Sequence, residues 1–245
     1  MLSDPYGSVP DPAWLPGYTW YDIDPRTIDP GDGVAVETYT CPASGEVFQE
    51  LTGLLQPLWR SGGGEPYFEF DGIDDVLPSV NEIDLGGTAG FSWIVVAKIR
   101  TYDGAAGYFA HRQPSPPSPD FTVCETYYTG GPSTPVVVST VNRATSLANI
   151  SGAGPAIGTR AIVIGTHRAS PPDVGSLRSE ETEVSNTYLG GGDTYPHTGG
   201  IIYVGHGYSA DTSYLDLYRL MFCTPALTDA DILTLEGILT DAHGL

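Results

Sequence analysis

Strand-like alternation of apolar and polar residues runs through most of the chain. TWYDID at 19–24 and VAVETYT at 34–40 each read as a strand, separated by the turn Pro30-Gly31-Asp32-Gly33. PYFEF at 66–70 follows a glycine run at 61–64 and sets Tyr67 and Glu69 on one face, Phe68 and Phe70 on the other. FSWIVVAKIR at 91–100 is the most apolar segment, so it is predicted to be central, with Trp93 in the core. YFAHR at 108–112, FTVCETYY at 121–128, PVVVSTV at 135–141, AIVIGTH at 161–167, GIIYVGH at 200–206 and YLDLYRLMF at 214–222 continue the series.

Only the C-terminus switches to a helical period. Thr228 is a suitable N-cap, Asp231 suits the positive end of the helix dipole, and Ile232, Leu235 and Leu239 share one face. Leu233 and Ile238 lie close to that face, and Gly244 supplies a stop. This helix is expected to close one edge or end of the sheets. The proline-rich loop at 113–119 cannot enter a sheet interior, because proline lacks the donor that a ladder needs. The expected fold class is therefore all-β, a two-sheet antiparallel sandwich with a short C-terminal helix. Residues 1–17, rich in Pro and Asp, read as an extended arm placed to contact a neighbour, and 18–245 as one domain.

Composition narrows the partners. Thirty Asp and Glu against ten Lys and Arg give a net charge of -20, and Lys98 is the only lysine. Such a surface repels phosphate backbones and anionic membranes, so neither nucleic acid nor membrane is an expected partner. Cys41, Cys124 and Cys223 form no CxxC pair and read as buried thiols. The first residues carry Asp and Pro where a signal peptide needs a basic start and an apolar run, so synthesis in a cytoplasm is expected.

Several pieces together resemble a known family: Trp20-Tyr21-Asp22, Asp32-Gly33, Ser44-Gly45, Phe70-Asp71-Gly72-Ile73-Asp74-Asp75, the apolar strand 91–100, Leu215-Asp216-Leu217-Tyr218, and the tail from ALTDADILTLEGIL to His243-Gly244-Leu245. This order resembles LamG-like jelly-roll domains of the concanavalin A-like lectin/glucanase group, especially those of bacteriophage virion proteins. It spans 18–245, departing at Tyr39, where tryptophan is expected, and at 165–184, which lacks a clear hairpin. The resemblance implies a jelly roll that acts through loops or one sheet face.

Catalysis finds little support. The glucanases use an E-x-D-x-x-E strand, and Glu69-Phe70-Asp71-Gly72-Ile73-Asp74 comes close. Gly72 favours a turn that breaks the strand, and the last residue is a shorter aspartate. GxSxG, HExxH and Walker A motifs are missing, and His111, His167, His197, His206 and His243 have no paired spacing. A non-enzymatic role follows. Asp71, Asp74 and Asp75 are candidate calcium ligands, with turn capping the plainer explanation. Among aromatic residues, Trp14, Trp20, Trp59 and Trp93 are possible sugar platforms, Trp14 the one expected to be exposed. Tyr127, Tyr128, Tyr195 and Tyr208 lie near loops, where they suit a ligand or a subunit.

The function expected from these features is that of a bacteriophage virion structural protein, a decoration, cement or fibre component of capsid or tail. It would bind other virion proteins and copies of itself. The alternative is a carbohydrate-binding adhesin for host surface glycans, with a glycoside hydrolase third.

Overall fold

Neighbouring segments pair antiparallel almost without exception, and the period-two pattern closes into two stacked sheets, as expected. The computed structural model describes residues 15–61, 64–85, 90–101, 106–112, 122–129, 136–142, 147–168, 173–179, 182–188, 199–205 and 214–245. Within the strands, the side chains of 106, 122–129, 138, 140–142, 147–149, 173–174 and 182–188 lie outside that description.

The first strands are β1 (Thr19–Ile23), β2 (Val34–Ala35), β3 (Thr38–Thr40), β4 (Val47–Gln49), β5 (Leu58–Arg60) and β6 (Tyr67–Asp71). Next come β7 (Leu77–Pro78), β8 (Phe91–Ile99), β9 (Ala106–Arg112), β10 (Thr122–Thr129), β11 (Val136–Asn142) and β12 (Leu147–Ala153). The last are β13 (Arg160–Arg168), β14 (Asp173–Ser179), β15 (Thr182–Tyr188), β16 (Ile201–Val204) and β17 (Tyr214–Thr224), before helix α1 (Asp229–His243).

The larger sheet runs β15-β14-β13-β8-β17-β6-β5-β2, and the smaller runs β12-β11-β10-β9-β16-β7. β17 takes β8 along one side; on the other it pairs with β6 through Tyr214–Leu217 and with β1 through Leu220–Thr224. The segment 34–40, read as one strand, is two: Val34 and Ala35 join the larger sheet, while β3 pairs with β4 in a separate ribbon.

Alternation sorts the central strand between two cores. Phe91, Trp93, Val95, Ala97 and Ile99 turn inward and pack with Phe109, Val137, Ile150, Ile202 and Val204 of the smaller sheet. Ile94 and Val96 turn outward, where they join Ile162 and Ile164 and are covered by Ile232, Leu235 and Leu239 of α1. The helix thus lies flat on the outer face of the larger sheet instead of closing an edge or end. The reason is the run IVV at 94–96 with IVI at 162–164: strands apolar on both faces need a cover on each. Leu233 points away from that cover and is exposed. Thr228 caps the helix by accepting from Asp231 N, and Gly244 ends it at φ 62°.

Cys41 and Cys223 are buried free thiols, as expected; the Cys124 side chain lies outside the described residues. Residues 1–14 of the expected arm lie outside them too.

Candidate functional site

The part of the outer face that α1 leaves open is polar and aromatic. β6 turns Phe68 and Phe70 into the core, so Tyr67, Glu69 and Asp71 face outward. β17 pairs with it in the register Tyr214↔Asp71 and Asp216↔Glu69. One rung therefore reads Arg160, Lys98, Asp216, Glu69 across four adjacent strands, two cations beside two carboxylates.

Arg100, just past the end of β8, is the hub of this face. Its Nη1 donates to Glu69 Oε1 at 2.7 Å and to the Tyr214 hydroxyl at 3.3 Å, and Nη2 donates to the Tyr67 hydroxyl at 3.2 Å. Its Nε meets Asp216 Oδ1 at 2.5 Å, and Lys98 Nζ meets Asp216 Oδ2 at 3.2 Å. Arg60 Nε holds the other oxygen of Glu69. The guanidinium carbon of Arg100 lies 5.8 Å from the Tyr67 ring centre and 5.2 Å from that of Tyr214. Next to them, Tyr218 stands 5.3 Å from Tyr67 and carries Arg160 at 4.7 Å.

Electrostatics hold this cluster in one charge state. Burial opposes the Arg100 charge, but the Tyr214 hydroxyl and the Asp216 and Glu69 carboxylates outweigh it and hold the guanidinium more firmly protonated than usual. Burial, then the Asp216 charge, pushes the Tyr218 phenol up to about 12, so it stays a neutral donor. Asp216 is 1% exposed, whereas Tyr67, Glu69, Arg100 and Tyr214 are half-buried and reach solvent. The result is a floor of fixed charges with tyrosine rings at its surface: donors, acceptors and π faces held rigidly on strands.

The acidic turn adjoins this face at the end of β6. The strand stops at Asp71, and Gly72 takes φ 73°, a left-handed conformation that turns the chain before Asp74. Glu69, Asp71 and Asp74 therefore do not project from one strand, and the glucanase-like spacing forms no common groove. Asp71 Oδ1 accepts from Ile73 N at 2.8 Å and Asp74 N at 3.4 Å, and Asp75 Oδ2 accepts from Asp71 N at 2.8 Å. Asp71, Asp74 and Asp75 each offer a carboxylate oxygen within 4.8 Å of the others, a spacing a calcium ion can bridge. Capping of the turn already accounts for Asp71 and Asp75. Burial, then the neighbouring Asp71 and Asp74 charges, pushes the Asp75 carboxyl up to about 7 although the Asp71 amide pulls it down.

Of the aromatic candidates, Trp20, Trp59 and Trp93 are core, at 5%, 3% and 0% exposure, and Trp59 donates its indole N–H to Pro25 O. Trp14, Tyr195 and Tyr208 lie outside the described residues, as do the side chains of Tyr127 and Tyr128 in β10. Sequence reasoning placed Tyr67, Glu69, Tyr214, Asp216 and Tyr218 on strands without joining them. Their convergence depends on the β6–β17–β8 register, and only the shared alternation of PYFEF and YLDLY hinted at it.

One further polar pair was invisible in sequence. Ser139 Oγ lies 3.2 Å from His167 Nε2, joining β11 of the smaller sheet to β13 of the larger. Ser139 is 0% and His167 2% exposed, and the imidazole stacks on Phe91 at 5.0 Å. Buried between the sheets, the pair is a cross-sheet hydrogen bond that no substrate reaches.

Neither a protein-family model nor a curated protein matches this sequence. Comparison with solved structures finds the fold repeatedly. The chain is similar to the binding domain of botulinum neurotoxin serotype G (TM-score 0.56, 8% identity, 84% of this chain and 51% of that one). It is similar to Trypanosoma rangeli sialidase (TM-score 0.55, 11% identity, 86% of this chain and 32% of that one). A third likeness is to tailspike protein 2 of Escherichia coli O157:H7 bacteriophage CAB120 (TM-score 0.53, 12% identity, 84% of this chain and 28% of that one). The chain thus spans about half the length of the first and about a third or less of the others. At these identities the likeness establishes the β-sandwich fold.

Proposed function

We propose that this protein is a carbohydrate-binding β-sandwich that works by recognition, not catalysis, and that it holds glycans on the outer face of the larger sheet. The observation that carries this reading is the cluster in which Tyr67 and Tyr214 flank Arg100 above Glu69 and Asp216. Sugars offer hydroxyls that both donate and accept, and C–H faces that pack on aromatic rings. Fixed carboxylates, a guanidinium and tyrosine rings match those features, and strands hold them without an ordering cost on binding. Fold likeness to a sialidase and to a toxin's binding domain supports the same reading.

A glycan array tests it. Wild-type protein is expected to retain a defined set of oligosaccharides, and Tyr67→Ala or Tyr214→Ala to weaken those hits about tenfold at a temperature where circular dichroism shows each variant folded. An array without hits, or hits indifferent to both substitutions, rejects this site.

A second reading concerns where such a module works. The resemblance of 18–245 to phage LamG-like domains and the fold shared with a phage tailspike protein support a virion component, one that is made in a host cytoplasm and assembles with other virion proteins or with itself. Among the described residues Arg26, Arg60, Lys98, Arg100, Arg160, Arg168, Arg178 and Arg219 are each paired with a carboxylate, so the net charge of -20 leaves little to attract nucleic acid. Mass spectrometry of purified particles is expected to find the chain in fixed stoichiometry; its absence from them ends this reading.

A further inference from the structure

Beyond the acidic end of β6, two loops lie side by side. Val76 N donates to Leu55 O at 2.9 Å and so ties the turn at 71–76 to the loop at 50–55. Each is held from within. Thr52 N donates to Glu50 Oε1 at 2.8 Å, Gln56 Nε2 to Glu50 O at 2.6 Å, Leu55 N to Thr52 O at 2.8 Å, and Ile73 N to Asp71 Oδ1 at 2.8 Å. None of these bonds uses an aliphatic side chain. Yet the three most exposed large apolar residues of the described structure stand here: Leu51 at 73%, Leu54 at 84% and Ile73 at 74%. Loop tips are ordinarily polar, and single exposed aliphatics are common, but three on two adjoining turns form a patch. The same twelve residues carry three carboxylates that reach solvent, Glu50, Asp71 and Asp74, beside the buried Asp75, and no cation.

We propose that this tip is a docking surface for a protein segment that presents aliphatic side chains flanked by lysine or arginine. Charge complementarity selects that occupant. A second copy meeting this patch about a twofold axis would set the same carboxylates against themselves. An anionic lipid surface is repelled by the same rim. Sugars gain little from leucine and isoleucine, which offer neither a π face nor a polar group. A basic, apolar segment satisfies both the aliphatic centre and the anionic border. This inference stands apart from the glycan face.

The test uses the full chain and two synthetic fluorescent peptides of equal length, one alternating leucine with lysine and one alternating leucine with glutamate. Anisotropy is expected to show binding of the lysine peptide that weakens with salt, and none of the glutamate peptide. Leu51→Ser/Leu54→Ser/Ile73→Ser is expected to weaken the lysine peptide about thirtyfold with an unchanged melting temperature, because all three side chains are exposed. Leu54→Ser alone is expected to weaken it several-fold, and Leu233→Ser on the helix to leave it unchanged. Equal affinity of the triple variant and wild type overturns the proposal, since general acidity then explains the attraction, and so does failure of wild type to bind. A dimer in sedimentation, or binding to phosphatidylserine-containing vesicles, that the triple variant abolishes overturns it as well.

Discussion

Arg219 grips Asp22 with two parallel hydrogen bonds, Nε to Oδ1 at 2.9 Å and Nη2 to Oδ2 at 2.6 Å, and only 2% of the arginine side chain is exposed. A register shift between Leu217 and Arg219 breaks the alternation of β17 at this point, so Leu215 and Leu217 before it and Leu220 and Phe222 after it all reach the inner core. The pair thereby fastens β1 to β17 from the first and last thirds of the chain.

Breaking one partner leaves the other charge buried, and that penalty exceeds what the pair contributes over an apolar replacement. Arg219→Met is expected to lower unfolding free energy by about 3 kcal/mol in urea titrations. Asp22→Leu/Arg219→Met is expected to recover most of the loss. A double variant as unstable as the single would show that the bidentate geometry itself matters more than the stranded charge.

Gly165 lies directly across from Trp93, and a β-carbon there would stand 2.2 Å from Trp93 Cε2. The indole fills the space that glycine leaves, between the sheets and edge-on to Phe109 at 5.5 Å. Gly165→Ala therefore forces the ring or the strand to shift, at about 1–3 kcal/mol, the usual range for overpacking a core. Near-UV circular dichroism is expected to lose aromatic signal in step with the fall in stability. An unchanged spectrum and melting temperature would mean that β13 and β8 separate easily.

How much of this was legible beforehand depended on burial. PYFEF and FSWIVVAKIR announced themselves by burial: the split of Phe68 and Phe70 from Tyr67 and Glu69, the central place of 91–100 and the core position of Trp93 were legible, while the direction of each face was not. β12, β14 and β15 were not read. LANISGA, DVGSLRS and TEVSNTY have weak apolar alternation, and β12 and β15 stand at the ends of their sheets, positions where polar residues are common. The hairpin of β14 and β15 fills part of the stretch where the family pattern was missing. The strands of two or three residues, such as β5 and β7, are too short to show a period at all. For the candidate site, residue types were plain in sequence but their meeting was not, because Arg100, Glu69 and Tyr214 are brought together by strand register over long separations.

His111 is 0% exposed and its Nε2 lies 2.9 Å from Ile83 O. Burial pushes its imidazole down to about 4, against the pull of the Ile83 and Gly200 backbone groups. The unfolded chain takes up that proton near 6.5 and the folded chain does not, so the stability this neutral imidazole supports is present above about 6.5 and is lost as pH falls towards 4. Over that interval the loss amounts to about 3 kcal/mol. His111→Gln is expected to remove this loss, so that on going from pH 7 to pH 5 the variant gains stability relative to wild type, whatever happens to its absolute stability, in urea titrations. A variant that loses as much stability on acidification as wild type would place the acid sensitivity elsewhere.

Asp75 acts in the opposite sense. Its folded carboxyl, pushed up to about 7 chiefly by burial, keeps a proton that the unfolded chain releases near 4. Its contribution is therefore full below about 4 and is lost as pH rises through about 7. Asn supplies a neutral acceptor for the Asp71 amide, so Asp75→Asn is expected to raise the melting temperature at pH 8 and to change little at pH 4. Because His111 and Asp75 titrate over overlapping ranges with opposite signs, wild type is expected to show a shallow profile that each single substitution steepens in its own direction. Calcium separates the two accounts of the acidic turn. A bound ion would hold Asp75 ionised and stabilise the fold in proportion to its occupancy. If the backbone amides of Asp71, Ile73 and Asp74 suffice, millimolar calcium and a chelator both leave the pH 8 melting temperature where it was, and that is the expected result. A calcium-dependent rise that Asp75→Asn abolishes would make the turn a metal site instead.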